Sequence, residues 1–279
     1  MISPGSLSTG SFSGSSVWAR PLIAGWRVGE TLRFGWLEYR AANPPGLLLT
    51  ATGPRLILQT LFLTVLGGVL GGAQQRAFAF VGALAIALGS ANVVYVSNIA
   101  VSEKQFATFW RVRSGRLSAP AQFFSRAAPY PFAGLIMVAV TAAIVGPVVG
   151  LGSVALRQLP LTGLYALISL STTAAGLAGA SVAIGRNADQ LATNVITYLI
   201  ILCSGGFLPP GRIAWVTKLG SVLPVTHGLA AIRANLAHLP WAGQALEELA
   251  VCAGWAAIAA VAVTVQAWRA RRTGNEDYS

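Results

Sequence analysis

Six long apolar runs constrain the fold of this sequence more than any other feature. About 18 or more apolar residues, wound as an α-helix, cross a hydrocarbon core roughly 30 Å thick. Inside that core the α-helix is one of the few structures in which every backbone N–H and C=O group can form a hydrogen bond within the segment. We therefore predict an all-α polytopic membrane protein with six transmembrane helices, near residues 54–72, 77–101, 130–152, 159–184, 191–208 and 249–268.

The content of charged residues also separates this chain from soluble proteins. Of its 279 residues, 54% are hydrophobic and 10% are charged, whereas soluble domains carry about 25% charged residues. The two cysteines, Cys203 and Cys252, fall in or beside apolar runs. Two isolated thiols make neither a metal cluster nor a disulfide framework, so we interpret them as packing residues.

The distribution of positive charge predicts the topology. The net charge is +11, and fourteen of the 19 lysine and arginine residues fall on the side of the runs that holds the N-terminus. The positive-inside rule then places both termini in the cytoplasm and explains the basic excess without a nucleic-acid partner. High alanine, glycine and arginine content with little lysine indicates a bacterial source, and hence the inner or plasma membrane.

Flanking segments complete the predicted organisation. We predict a disordered Ser- and Gly-rich tail over residues 1–21, a six-helix membrane domain over 46–270 and a cytoplasmic tail over 271–279. Residues 22–45 are predicted to form an interfacial amphipathic helix before Pro44 and Pro45. Its apolar face would hold Val28, Leu32, Trp36 and Tyr39, and its opposite face Arg27, Thr31 and Glu38.

Small residues recur in two of the predicted spans. The first carries Gly67, Gly68, Gly71 and Gly72, and the fourth a stretch of alanine and glycine over 174–180. Such residues let another helix backbone approach closely. They predict either a subunit contact or packing within the chain.

The long connection between the second and third runs, residues 102–128, is predicted to be cytoplasmic. Phe106, Phe109 and Trp110 form an apolar patch at helical spacing, beside Lys104, Arg111 and Arg113. An aromatic patch of this kind fits a groove on a partner protein. The alternative is that this patch lies on the surface of anionic lipid.

A second informative segment follows the fifth run. The chain breaks at Pro209 and Pro210 and continues through Trp215, Lys218 and Pro224 to Arg233. A proline cannot continue a helix without losing a hydrogen bond. We predict a re-entrant outer segment over residues 204–238.

The run from Cys203 to Arg233 resembles the segment between the fifth and sixth helices of ABC type-2 permeases, the membrane subunits of ATP-binding-cassette exporters. Ser-Gly there precedes a proline, and Leu-Pro-x-Thr precedes an arginine. Glu103 to Thr108, followed by Leu117-Ser118, is similar to the Glu-Arg-x-x-Gly-Thr pattern of the same family, although Ala107 replaces its glycine. The resemblance covers about residues 22–270.

The resemblance implies partners and a set of coupling residues. The chain lacks the Gly-x-x-x-x-Gly-Lys-Ser/Thr loop that cradles nucleotide phosphates, so ATP and magnesium would bind separate ATPase subunits, and this chain would be non-catalytic with no cofactor or metal of its own. A second permease copy, the same or a sibling, would complete the pathway. The residues expected to meet the ATPase are Glu103, Lys104, Phe106, Thr108, Phe109, Trp110, Arg111 and Arg113.

The same resemblance implies that the first, second and fifth spans line the pathway, and that the turn from Ser204 to Arg212 closes its outer gate. The walls are weakly polar, which suits a hydrophobic or amphipathic cargo such as a drug, an antibiotic or a lipid-like molecule. A polar residue in such a wall can equally well serve only to form an interhelical hydrogen bond. The candidates are Gln59, Thr60, Thr64, Asn92, Ser97, Asn98, Thr193, Asn194, Thr197 and Tyr198, with Ser204, Gly205, Pro209 and Pro210 at the gate.

Three other functions stay open at this point. Export of polysaccharide or glycolipid uses the same plan, but the spans hold few aromatics to stack on sugars. An ion-coupled secondary transporter commonly places acids inside the membrane, and the six runs contain none. A membrane enzyme would need clustered catalytic groups, whereas His227 and His238 are eleven residues apart and lack metal-ligand spacing.

Overall fold

The computed structural model describes residues 19–105, 117–183, 189–207, 209 and 211–273, and all regular secondary structure within these ranges is helical. This confirms the all-α prediction. Short helical turns, Pro45–Leu47, Leu48–Thr52 and Leu159–Leu161, join the longer elements. The helices are α1 Ala19–Ala42, α2 Gly53–Gln105, α3 Ala119–Ala127, α4 Pro129–Val148, α5 Gly152–Gln158, α6 Thr162–Ala183, α7 Asp189–Cys203, α8 Ala214–Gly220, α9 Thr226–Leu236 and α10 Ala242–Thr273.

Four described segments are long and apolar enough to cross a membrane, namely Pro45–Ile99, Ala119–Val148, Gly152–Val182 and Ala242–Arg269. A shorter apolar helix, Leu191–Cys203, falls below the usual crossing length. The chain is thus a multi-pass membrane protein. Six crossings stay a prediction, which requires that α2 cross twice and that the short helix cross once.

Helix α2 reverses direction at two glycines. Gly71 has φ −145° and ψ 18°, and Gly72 has φ 71° and ψ −159°, a region that glycine reaches without a Cβ penalty. A Cβ on Gly67 would overlap the methyl group of Ala79. The two halves therefore lie against each other, and they correspond to the predicted runs at 54–72 and 77–101.

The core forms around the second half of α2. Residues 79–90 are all buried, and α4, α6 and α7 pack around this half. Asn92 Nδ2 donates to Ser169 Oγ at 2.7 Å, which joins α2 to α6. A Cβ on Gly176 would lie 2.8 Å from the Cα of Val93, so the small residues of both predicted stretches serve packing within this chain.

Two helix ends differ from the sequence prediction. Helix α7 ends at Cys203 rather than near 208, because Gly205 adopts φ 74° and turns the chain. Its 15 residues span about 22 Å at 1.5 Å per residue. Helix α4 ends at Val148, directly after Pro147, and Gly150 at φ 73° separates it from α5.

Helix α1 packs on the protein through a different face from the one predicted. Gly35 is buried because the backbone of Arg126 on α3 lies against it, and Tyr39 is also buried. Val28, Leu32 and Trp36, predicted to share the apolar face with Tyr39, remain exposed. The protein-facing side thus centres on Gly35 and Tyr39, and the exposed apolar residues are free to meet lipid.

The reversal of α2 predicts that a large side chain at Gly67 destabilises the protein. A Gly67→Leu substitution forces a side chain into the contact with Ala79, and overpacking of this kind costs about 1–3 kcal/mol. We expect a lower unfolding midpoint in detergent micelles. Gly254→Leu is the control, because nothing lies within 4 Å of that position; equal midpoints for the two variants would contradict the hairpin.

Candidate functional site

The chain after α7 folds back onto two helices. A Cβ on Gly82 of α2 would overlap the carbonyl oxygen of Gly206, and a Cβ on Gly220 of α8 would overlap the carbonyl oxygen of Cys203. Glycine at these two positions therefore permits direct backbone contact. Residues 204–238, called the outer segment below, start from this tightly packed point.

Arg233 holds the start of the outer segment in place. Its Nη1 donates to the carbonyl oxygen of Gly205 at 2.7 Å, and its Nη2 donates to those of Gly206 at 3.1 Å and Phe78 at 3.2 Å. The guanidinium carbon lies 3.4 Å from the centre of the Phe78 ring. The planar guanidinium fork is suited to several fixed acceptors at once. One side chain of α9 thus joins the turn after α7 to α2.

The environment of Arg233 keeps its charge but lowers its pKa. Burial lowers the pKa of the Arg233 guanidinium to about 9, because removal from water disfavours the charged form. Arg233 lies outside the four candidate spans. At neutral pH the group stays protonated, and the three carbonyl dipoles compensate its charge.

Glu248 holds the other end of α9. Its side chain is 0% exposed, and its two oxygens accept from the backbone N–H groups of Val225 at 3.0 Å and Gly228 at 2.9 Å. Val225 has φ 84°, a strained value for a β-branched residue. A carboxylate is favourable at a helix N-terminus because free N–H groups and the helix dipole both point at it.

Sequence reasoning missed the role of Glu248. The last span was predicted to start at residue 249, but α10 starts at Ala242, so Glu247 and Glu248 lie within a candidate span. The absence of acids from the predicted runs therefore does not extend to this helix. Because backbone amides bond both oxygens of Glu248, the residue acts as a helix cap.

His227 has a structural place beside this cap. Its Nε2 lies 2.9 Å from the carbonyl oxygen of Ser221, and its Nδ1 lies 2.7 Å from Oε2 of Glu247. Among the described residues no group of three or more histidines, cysteines and acids is placed to hold a metal ion. The two contacts of His227 therefore give it a hydrogen-bonding role between the Ser221 carbonyl group and Glu247.

The predicted pathway residues lie in different environments within the described part of the chain. Thr64 and Thr197 donate to carbonyl oxygens of their own helices, and Asn92 borders a small cavity of about 20 Å³. Asn98 and Tyr198 are exposed, while Gln59 and Asn194 are half-buried. A larger cavity is bordered by Ser204, Gly205 and Pro209, and Pro210 lies outside the described residues.

The predicted coupling residues are described only in part. Glu103 and Lys104 belong to the last turn of α2, but their side chains lie outside the described part of the chain. Phe106, Thr108, Phe109, Trp110, Arg111 and Arg113 lie outside it entirely. Their contact with an ATPase stays a prediction.

The element that follows the coupling residues is joined to α1. Arg126 of α3 donates to both oxygens of Glu38, at 2.8 and 2.6 Å, and only 7% and 23% of the two side chains are exposed. A bidentate pair fixes orientation as well as distance. The sequence pattern placed Glu38 on the water-facing side of α1; it faces α3 because Arg126 offers a charged partner there.

The cap predicts that Glu248→Gln destabilises the protein. A glutamine keeps one acceptor but turns an N–H₂ group toward a second backbone N–H, and a hydrogen bond to a charged group contributes about 1.5–3 kcal/mol. We expect a lower unfolding midpoint in detergent and faster hydrogen exchange at the amides of Val225 and Gly228.

Glu247→Gln is the matched control. That side chain is 61% exposed, and exposed ion pairs contribute about 1 kcal/mol or less. Its midpoint is expected to stay close to that of the unmodified chain. Exchange at Val225 and Gly228 that is unaffected by Glu248→Gln would show that the carboxylate does not hold α9.

Comparison with known proteins identifies the family. Residues 45–237 match the family model described as ABC-2 type transporter. The match spans α2 to α9 and includes both the 102–128 connection and the outer segment up to residue 237. A search of curated proteins gives no match. Because the matched range covers well over half of the 279 residues, the chain belongs to the ABC-2 type transporter family.

Proposed function

We propose that this chain is the permease subunit of an ATP-driven exporter that moves hydrophobic or amphipathic molecules, such as drugs, antibiotics or lipid-like compounds, out of the cell. The family supplies the transport class. The observation that carries the finer proposal is the closure of the outer segment by Arg233 over α2 and the turn after α7. Such a closure fits the outer gate of an alternating pathway.

The gate is built so that it can release as a unit. Arg233 bonds three backbone carbonyls, and none of these bonds depends on an opposite charge. If α9 moves outward, the guanidinium leaves Phe78 while keeping Gly205 and Gly206, which belong to the same moving segment. The tight contact between Gly82 and Gly206 would then open the pathway beside α2.

Energy would enter from the opposite side of the membrane. ATPase subunits would bind the connection at residues 103–113 and hold ATP and magnesium, while this chain hydrolyses nothing. The buried Arg126–Glu38 pair would make α1 follow any movement of α3. Helix α4 follows α3 directly in the chain, so the same movement would reach the membrane helices.

A second permease copy, the same chain or a sibling, would complete the pathway. The first half of α2 and the length of α7 both carry large apolar side chains that are exposed in the single chain. Lipid and a second copy are the surfaces that suit them. Of the spans expected to line the pathway, the first and the fifth would therefore face the partner, whereas residues 79–90 of the second are buried within this chain. The exposed side chains are Leu58, Phe62, Val65, Leu66, Val69, Leu70, Leu191, Val195, Tyr198 and Leu202.

The first test of the proposal is whether the chain binds an ATPase subunit. The tagged chain, purified in mild detergent from its native membranes, is expected to retain an ATP-binding-cassette ATPase and to hydrolyse ATP. The double substitution Phe109→Ala and Trp110→Ala should release that subunit while leaving membrane insertion intact. A chain that purifies alone and still transports would contradict the proposal and favour an ion-coupled carrier.

The gate is tested by a conservative change. In a Cys252→Ser background, Arg233→Lys replaces a planar fork with a compact ammonium group that cannot reach all three carbonyls. We expect faster modification of Cys203, which is only 3% exposed, by a membrane-impermeant thiol reagent. Arg157→Lys, at an exposed residue of α5, is the control; equal rates in both variants would limit Arg233 to a role in folding.

A further inference from the structure

A large cavity lies in a single chain, mainly between the outer segment and the start of α10. It has a volume of about 560 Å³ and is bounded by the turn after α7, by α8 and α9, and by the start of α10. Sites for small molecules commonly measure about 300–1,000 Å³. The cavity is therefore large enough for a molecule rather than for a few waters.

Much of the wall is apolar. Ile213 and Val216 line it from α8 and the residue before it, Ala230 and Ala234 from α9, and Leu239 from the turn before α10. An apolar body would gain free energy by leaving water for this space. The wall thus predicts a ligand with a hydrocarbon or aromatic part.

The polar part of the wall favours a negative charge. Arg212 and Arg233 both border the cavity, and no described residue forms an ion pair with Arg212. The acid on this wall, Glu247, lies 2.7 Å from His227 Nδ1. Two guanidinium groups therefore stand against one carboxylate, which already has a hydrogen-bonding neighbour.

We infer that this cavity is a binding site for an amphipathic anion, a molecule with one carboxylate or phosphate group on an apolar body. The acidic group lies near Arg212, and the apolar body fills the space beside α8 and α9. A membrane lipid and a free amphiphile share this chemistry. The inference concerns binding by the chain itself, so it stands or falls independently of the ATPase and of export.

Binding is measured directly with radiolabelled decanoate and the purified chain in phosphatidylcholine nanodiscs, with empty nanodiscs as the blank. We expect one saturable site that decanoate occupies about tenfold more tightly than decanol, since a charged hydrogen bond contributes roughly that factor. Decylammonium should not compete. Equal competition by all three molecules would overturn the inference.

Three variants locate the site. Arg212→Gln should weaken decanoate binding about tenfold, and Ala230→Phe should abolish it by filling the cavity. Lys218→Gln is the control, because this exposed residue of α8 does not border the cavity. Loss of binding in the Lys218 variant equal to that in the Arg212 variant would mean that only general surface charge attracts the anion.

The source of the ligand is determined by identifying the molecules that co-purify with the chain from its native membranes. An anionic phospholipid that mass spectrometry finds in the unmodified chain and not in Ala230→Phe supports the site and identifies membrane lipid as its ligand. Decanoate binding without such a lipid supports the site with a free amphiphile as its ligand. Absence of both overturns it.

Discussion

The outer segment depends on one short helix held at both ends by buried charges. Glu248 accepts from backbone amides at the start of α9, and Arg233 donates to backbone carbonyls from its last turn. A negative group at the N-terminus and a positive group near the C-terminus both agree with the helix dipole. Because each charge is met by backbone dipoles, α9 fixes α10, α2 and the turn after α7 without any direct pair between the two residues.

The helical architecture was predictable from sequence because membrane helices are determined by local properties, namely length and hydropathy. Even the reversal in α2 has a local signal, since Gly71-Gly72 separates two apolar runs. The end of α7 did not follow from hydropathy, because Phe207 and Leu208 continue the apolar pattern after the chain has turned at Gly205. Backbone conformation at a single glycine decided that boundary.

The site was less predictable, because its bonds join residues that are distant in sequence. The family resemblance pointed to Arg233, but its carbonyl acceptors at Phe78 and Gly206 carry no sequence signal, since every residue has a carbonyl. Glu248 had one available signal, an acid at the beginning of an apolar run. Its partners near Val225 became evident only when α10 was seen to start earlier and to pack beside α9.

The length of α7 has a consequence for the membrane around it. A helix of 15 residues is several ångströms shorter than the hydrocarbon thickness of an ordinary bilayer, and such a mismatch is met by local thinning or by association with other helices. If α7 forms the fifth predicted crossing, neighbouring lipids would compress or other helices would cover it, at a cost that rises with acyl-chain length. Membrane thickness would then be a physical variable that acts at the place where the outer segment begins.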